Sequence, residues 1–376
     1  MALTNRASRR LRRFGYILYL LLFTFLAMEM LLRIYNPFPS RIKGDKLILP
    51  INQTYYYRNN KVSTLEKEIR VQYNSLGFQG PEKPANYDSC LSIITVGGST
   101  TACMYISTEN TWPTLLYNRL SHSFSNLWLN NAGRDGHSSF GHMFMLRDHV
   151  LKLHPKIIIF LTGINDVDRS DLGIHEDSVS HSFKQFAMRN SEVLNVVVAY
   201  LRNRKAISLG LLSEFADFKV KKFDVLALSE DTIRHALRLQ QPLANGYERR
   251  MRALIDTCIR YNIKPVLVTQ PMLCGKAIDS ISGMDLAKVK IVRGVNGELW
   301  SRKLDMYNAV LKRLAQEYRL LCIDLAAMMP RSTRYYYDFV HYTNEGTQKV
   351  VELITPQLEA YLKNEFPQFN RTSLEY

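Results

Sequence analysis

Cysteine is scarce in this 376-residue chain, and its five copies (Cys90, Cys103, Cys258, Cys274 and Cys322) are odd in number and widely spaced. They cannot all pair, and no Cys-x-x-Cys occurs, so neither a disulfide framework nor a cysteine metal site organises the fold; they read as small buried hydrophobes. Internal repeats and low-complexity tracts are also lacking, which excludes solenoids and propellers. No RNA-binding signature or zinc finger accompanies the net charge of +15, so nucleic acid is not the expected partner. His137, His142 and His149 lie close in sequence, but no carboxylate pattern completes a metal site, and neither metal nor other cofactor is expected.

Acid is missing from the first thirteen residues, which hold five arginines (Arg6, Arg9, Arg10, Arg12 and Arg13). An almost unbroken apolar run follows from Phe14 to Leu32. As a helix, nineteen residues span about 28 Å, close to the hydrocarbon thickness of a bilayer. Glu29 is the one charge in the run, and Arg33 stands four residues on, in reach of an i,i+4 pair at the interface. No small-x-small cleavage site follows the run, so a retained single-pass signal-anchor is preferred to a cleavable signal peptide. The positive flank suits the anionic inner leaflet and predicts a cytoplasmic N-terminus with the rest of the chain exported. The other basic residues are scattered among acids. Lys219 to Lys222 and the Arg249, Arg250, Arg252 group read as solvated faces, with an anionic glycan or lipid head group as the alternative.

With 46% hydrophobic residues, the remainder can bury one sizeable core. Apolar runs at Ser92–Val96, Leu127–Asn130, Lys156–Leu161, Pro265–Thr269 and Leu320–Ile323 lack polar alternation, as parallel strands buried on both faces do. Helices are expected near Trp112–Leu120, Gly141–Leu153, Tyr247–Tyr261, Lys303–Tyr318 and Thr347–Leu362. The pattern predicts an α/β fold, a doubly wound, mainly parallel five-stranded sheet. The organisation expected is a basic tail over 1–13, a transmembrane helix over 14–33, a linker and edge segment over 34–72, and the main domain over 73–376. Pro37-Phe38-Pro39 marks the linker, and Leu47 to Arg70 is expected on the sheet's edge. Residues 166–264 form a mostly helical insertion, with apolar clusters at Val193–Leu201 and Leu209–Phe218, that reads equally as a lid or as a structural buttress. Gly275 to Glu298 is expected to form a second mobile segment. Two Asn-x-Thr acceptors, at Asn52 and Asn370, matter only in a glycosylating host.

Five dispersed residues carry chemistry. Ser99 follows the first apolar run and two glycines, which places it on a tight turn at the carboxyl end of a strand, where ligands bind in open α/β sheets. A serine hydroxyl needs an adjacent base, and the base needs an orienting group; His341 and Asp338, with two residues between them in Asp-Phe-Val-His, can meet on one turn. The Ser99 and Gly136 backbone N–H groups and the Asn165 side-chain amide are candidate donors to an oxyanion. Each motif alone has a plainer reading. Gly-Gly-Ser is commonly a strand-to-helix turn, Asn165 can be a turn former, and Asp166 is read as bonding its own backbone. Cys103, one turn past Ser99, is assigned to packing.

The order of these residues resembles the SGNH hydrolases, the GDSL-type esterase/lipase superfamily. Ser99 matches the serine of block I, Gly136 the glycine of block II, Asn165 the asparagine of Gly-x-Asn-Asp, and Asp338 and His341 the final Asp-x-x-His. The stretch Asn74 to Glu82 is similar to a membrane-anchored bacterial branch of that family. The resemblance runs from about Tyr73 to Leu362 apart from the insertion, and implies a flavodoxin-like fold. Block I departs from Gly-Asp-Ser because Gly98 replaces the aspartate. What the resemblance implies is a membrane-anchored serine esterase acting on an acyl ester of a carbohydrate or lipid, with Ser99, His341 and Asp338 catalytic and Ser99, Gly136 and Asn165 binding the oxyanion. An O-acyltransferase acting on a glycan would use the same residues, and a non-catalytic glycan-binding protein is the reading from another class.

Overall fold

The computed structural model describes residues 2–35, 41–43, 46–60, 62–169, 190–208 and 223–371. Pro37-Phe38-Pro39, Leu209–Phe218 and Lys219–Lys222 lie outside the described residues, as does Thr372 of the second Asn-x-Thr triplet. The chain divides into two compact units, Met1–Ile48 with Glu176–Leu212, and Leu49–His175 with Ser213–Tyr376.

The first unit is built on a helix from Ala2 to Ile34. Its Arg12–Ile34 stretch is the one helix among the described residues long and apolar enough to cross a membrane, with a mean hydropathy of 2.0. A second helix, Glu192–Ser208, contains the first apolar cluster of the insertion. Glu29 is not merely offset by Arg33 at 3.0 Å. Its carboxylate also accepts from the Ser191 hydroxyl at 2.9 Å and from the Glu192 and Val193 N–H groups at 2.9 and 3.2 Å, while Arg33 donates to the Asn190 carbonyl at 2.7 Å. The acid in the apolar run therefore supplies the acceptors that the first turn of the other helix lacks.

In the second unit, five parallel strands form the central sheet: β1 (Leu91–Gly97), β2 (Leu127–Asn131), β3 (Ile157–Thr162), β4 (Lys264–Thr269) and β5 (Cys322–Ile323). Their order is β5-β4-β3-β1-β2, the doubly wound order with its switch point between β1 and β3. All of β1 and β3 is buried, as an interior parallel sheet requires. Helices α1 (Ser99–Ala102), α2 (Trp112–Leu120), α3 (Ser139–Met145), α4 (Glu230–Arg260), α5 (Gly297–Tyr318) and α6 (Asn344–Glu365) connect or flank the strands.

Several boundaries differ from expectation for identifiable reasons. Past Met145 the expected helix winds as a π-turn over Leu146–Val150 and a 3₁₀ turn over Leu151–Leu153. Helix α4 starts at Glu230 rather than Tyr247 because Ser229 accepts from Thr232 N at 3.2 Å, with Glu230 and Asp231 in the first turn; Pro242 lies within it. Helix α5 starts at Gly297 because Asn296 caps it through Leu299 N at 2.9 Å. The outer edge of β2 is bridged by Gln79, paired both ways with Asn131 at 3.0 and 2.8 Å, and not by Leu47 to Arg70. Most of that segment instead makes a separate hairpin, Thr54–Arg58 against Glu68–Gln72. The Arg70 and Gln72 N–H groups donate to the Ser107 and Thr108 hydroxyls at 3.1 and 2.8 Å, which docks the hairpin on the loop after α1. The Gly275–Glu298 segment includes a short ribbon, Lys290–Val292 against Val295–Asn296.

Candidate active site

Strand β1 ends in Gly97, and Gly98 caps the one-turn helix α1 that opens with Ser99. Ser99 is thereby held at the carboxyl edge of the sheet, beside the switch point. A Cβ on Gly98 would stand 2.4 Å from the Asn165 Nδ2 and 3.1 Å from the His137 carbonyl. A side chain at this position would have to push the Asn165 amide aside, so the glycine leaves that amide where it is. Cys103 ends α1 in the left-handed region with φ 55°; its thiol is buried and pushed up by desolvation, which makes it a packing group.

The structure brings Ser99, His341 and Asp338 into one hydrogen-bonded line. Ser99 Oγ lies 2.7 Å from His341 Nε2, and His341 Nδ1 lies 2.6 Å from Asp338 Oδ2. The other Asp338 oxygen accepts from the Val340 and His341 backbone N–H groups at 2.8 and 2.7 Å, so the turn itself fixes the carboxylate. All three side chains are buried, Ser99 with 8% exposure. Burial alone would raise the Asp338 carboxyl, but the His341 charge, its ring hydrogen bond and the two N–H groups outweigh it and hold the carboxyl below its usual range. Burial likewise disfavours the charged His341 ring, yet the Asp338 carboxylate overcomes it by charge and hydrogen bond, with Asp135 adding to the effect. The imidazole therefore titrates above its ordinary value.

Gly136 occupies the turn after β2, closed by the His137 N–H on the Arg134 carbonyl at 3.2 Å, with φ +71° and nothing within 4 Å of where a side chain would go. Asn165 lies on the 3₁₀ turn Ile164–Asp166 after β3, and its Nδ2 donates to the His137 carbonyl at 2.9 Å. An amide carries two N–H groups; this bond fixes its plane and leaves the second for a ligand. No described residue accepts from the Ser99 or Gly136 N–H. Ser99, Gly136 and Asn165 thus stand on the turns that follow β1, β2 and β3.

Asp166 is not a local turn former. Its carboxylate, fully buried, accepts from the Ser139 N–H and hydroxyl, the N–H at 3.0 Å, and pairs with Arg250 at 3.2 Å. Arg250 also donates to the Ser139 hydroxyl at 2.6 Å and lies over the Phe140 ring at 4.0 Å. One of the three clustered arginines is therefore interior, while Arg252 pairs with Glu248 and Glu317. Among the described residues, no three metal-ligating side chains converge. His137 and His142 are both held down to about 3, chiefly by burial. The five cysteines are free.

Tyr337, which sequence reasoning missed, stacks on His341 at 5.6 Å and 11°. Its hydroxyl donates to the Met104 carbonyl at 2.9 Å, and its N–H to the His341 carbonyl at 3.0 Å. Its position just before Asp338 was the only available signal.

Residues 95–349 match the GDSL-like lipase/acylhydrolase family. No curated protein matches the chain. Among solved structures, the acetyl xylan esterase AlAXEase is similar at 16% identity, over 72% of this chain and 98% of that one, with a TM-score of 0.41. An acetylxylan esterase from Geobacillus stearothermophilus is 14% identical over 71% and 93%, with a TM-score of 0.40. A GDSL-like lipase from Bacteroides thetaiotaomicron is 13% identical over 75% and 93%, also at 0.40.

Proposed function

The chain belongs to the GDSL-like lipase/acylhydrolase family, and from that premise we propose a membrane-anchored serine esterase that works through an acyl-enzyme on Ser99. The observation that carries this reading is the 2.7 Å contact between Ser99 Oγ and His341 Nε2, continued at 2.6 Å to Asp338. Ser99 Oγ attacks the ester carbonyl as its proton passes to His341 Nε2, and the carbonyl oxygen gains negative charge. The Ser99 and Gly136 N–H groups and the Asn165 amide receive that charge. His341 returns the proton to the departing alcohol, leaving the acyl group on Ser99. Water, deprotonated by His341, then releases the acid and restores the serine. Asp338 orients the ring and stabilises the imidazolium without itself taking the proton.

Anchoring rests on the Arg12–Ile34 helix and on the arginines before it, which favour a cytoplasmic N-terminus and an exported site. The substrate is an acyl ester of a carbohydrate or lipid.

The test is turnover of 4-nitrophenyl acetate by the detergent-solubilised full chain, with mass spectrometry of a fluorophosphonate adduct. Labelling at Ser99, and its loss together with turnover in a folded Ser99→Ala protein, are expected. Normal turnover by that variant would remove the mechanism.

A further inference from the structure

A row of tyrosines runs from the outer hairpin to the nucleophile loop. In Thr54–Arg58, strand alternation sets Tyr55 and Tyr57 on one face and Tyr56 on the other. The Tyr55 and Tyr57 rings lie 6.5 Å apart at 22°, Tyr55 meets Tyr73 edge-on at 6.0 Å, and Tyr57 meets Tyr105 edge-on at 5.9 Å. Tyr57 keeps 38% of its surface exposed, and Tyr105 is half-buried.

Tyr105 is held against its own preference. It has φ +60°, shortly after Cys103 at +55°, a left-handed conformation that a bulky residue adopts only when its surroundings impose it. The surrounding structure imposes it: the Tyr337 hydroxyl pins the preceding Met104 carbonyl, and the hairpin docks on Ser107 and Thr108 just beyond. The ring is thus fixed six positions after Ser99, on a loop tied to the tyrosine that stacks on His341.

Asp135 precedes Gly136 in the block II turn. It is open to solvent, yet surrounding protein raises its carboxyl, with His341 and Arg134 opposing. Arg134 beside it lies over the Tyr73 ring at 4.8 Å, which sets the turn that carries Asp135 against the tyrosine row, and the Asp135 charge acts on Tyr57, Tyr105 and His341.

We propose that Tyr57, Tyr105 and Asp135 form a subsite for a neutral sugar residue, so that the ester attacked by Ser99 is carried on a carbohydrate. This rests on the esterase reading above and chooses between its two substrate classes. Aromatic faces pack on the C–H face of a pyranose, while a carboxylate accepts from its hydroxyls in charge-assisted bonds. A fatty chain in the same place would desolvate Asp135 without giving it a donor, which disfavours it. An anionic glycan would meet like charge.

The experiment compares two kinds of substrate on the detergent-solubilised full chain: partly O-acetylated neutral oligosaccharides, one of hexoses and one of pentoses, and the aryl ester 4-nitrophenyl acetate. The readout is the ratio of kcat/KM for the sugar ester to that for the aryl ester. Tyr57→Ala and Asp135→Asn are each expected to lower the ratio about tenfold, chiefly through KM, and Tyr57→Phe to restore it, since the ring is retained. Ratios unchanged in both variants, or a wild type that cleaves the aryl ester through Ser99 but neither sugar ester, would overturn the subsite while leaving the esterase intact. Aryl-ester turnover that survives Ser99→Ala would instead overturn the esterase reading.

Discussion

Asn165 lies over Gly98 so closely that a Cβ on Gly98 would stand 2.4 Å from the amide nitrogen. The residue before the proposed nucleophile and the side chain proposed as an oxyanion donor therefore share one space.

Gly98→Ala should act through Asn165. The added methyl displaces the amide from the His137 carbonyl, so kcat on 4-nitrophenyl acetate should fall by roughly 10²–10³, the usual cost of one oxyanion donor, as it should in Asn165→Ala. The double variant should be little worse than either single one, because one interaction is lost in both. Multiplicative losses would show that Gly98 and Asn165 act separately.

The pH profile has a definite sign. His341 acts as a base only when neutral, and its neighbours raise it above the ordinary value of 6.5, so kcat/KM should fall with acidification through a midpoint above about 6.5. Removing a negative neighbour lowers that value. Asp338→Asn and Asp135→Asn should each move the acid limb to lower pH, and a shift toward higher pH in either would refute the electrostatic account.

Much of this architecture was legible before any coordinates. Strands β1 to β4 are buried on both faces, so they read as apolar runs, and Ser99, Gly136, Asn165, Asp338 and His341 lie in short motifs whose spacing is local. What escaped depends on distant partners. Arg250 finds Asp166 eighty-four residues away, which no spacing rule reveals, so it read as surface charge. The start of α4 was obscured by Pro242 and Gly246, which discourage a helix even though Ser229 caps one. The tyrosine row joins a hairpin to a loop, and its members look like ordinary β-formers in Tyr55-Tyr56-Tyr57.

Asp166 and Asn165, adjacent in sequence, should separate cleanly by assay. Asp166→Asn removes the carboxylate charge that pairs with the buried Arg250 at 3.2 Å, and breaking a buried pair costs about 3–5 kcal/mol. Urea unfolding should show that loss for Asp166→Asn, while Asn165→Ala should change stability much less and kcat far more. A stable Asp166→Asn protein would mean that the buried pair contributes little.

The capping role of Glu29 makes a prediction independent of catalysis. Its carboxylate supplies the acceptors for Ser191, Glu192 and Val193, and loss of a helix cap costs about 0.5–2 kcal/mol. Glu29→Ala should therefore open the Glu192–Ser208 helix more often, and Arg202 and Arg204 within it offer tryptic sites. When opening is fast relative to cleavage, proteolysis follows the open population, so cleavage after Arg202 should accelerate about 2- to 30-fold. Glu29→Gln retains one carbonyl acceptor but loses the charge, and should fall between the wild type and Glu29→Ala. Aryl-ester turnover of each chain checks that the second unit is folded. Equal tryptic rates in all three proteins would mean that the helix is held by packing alone, and that Glu29 is only the partner of Arg33.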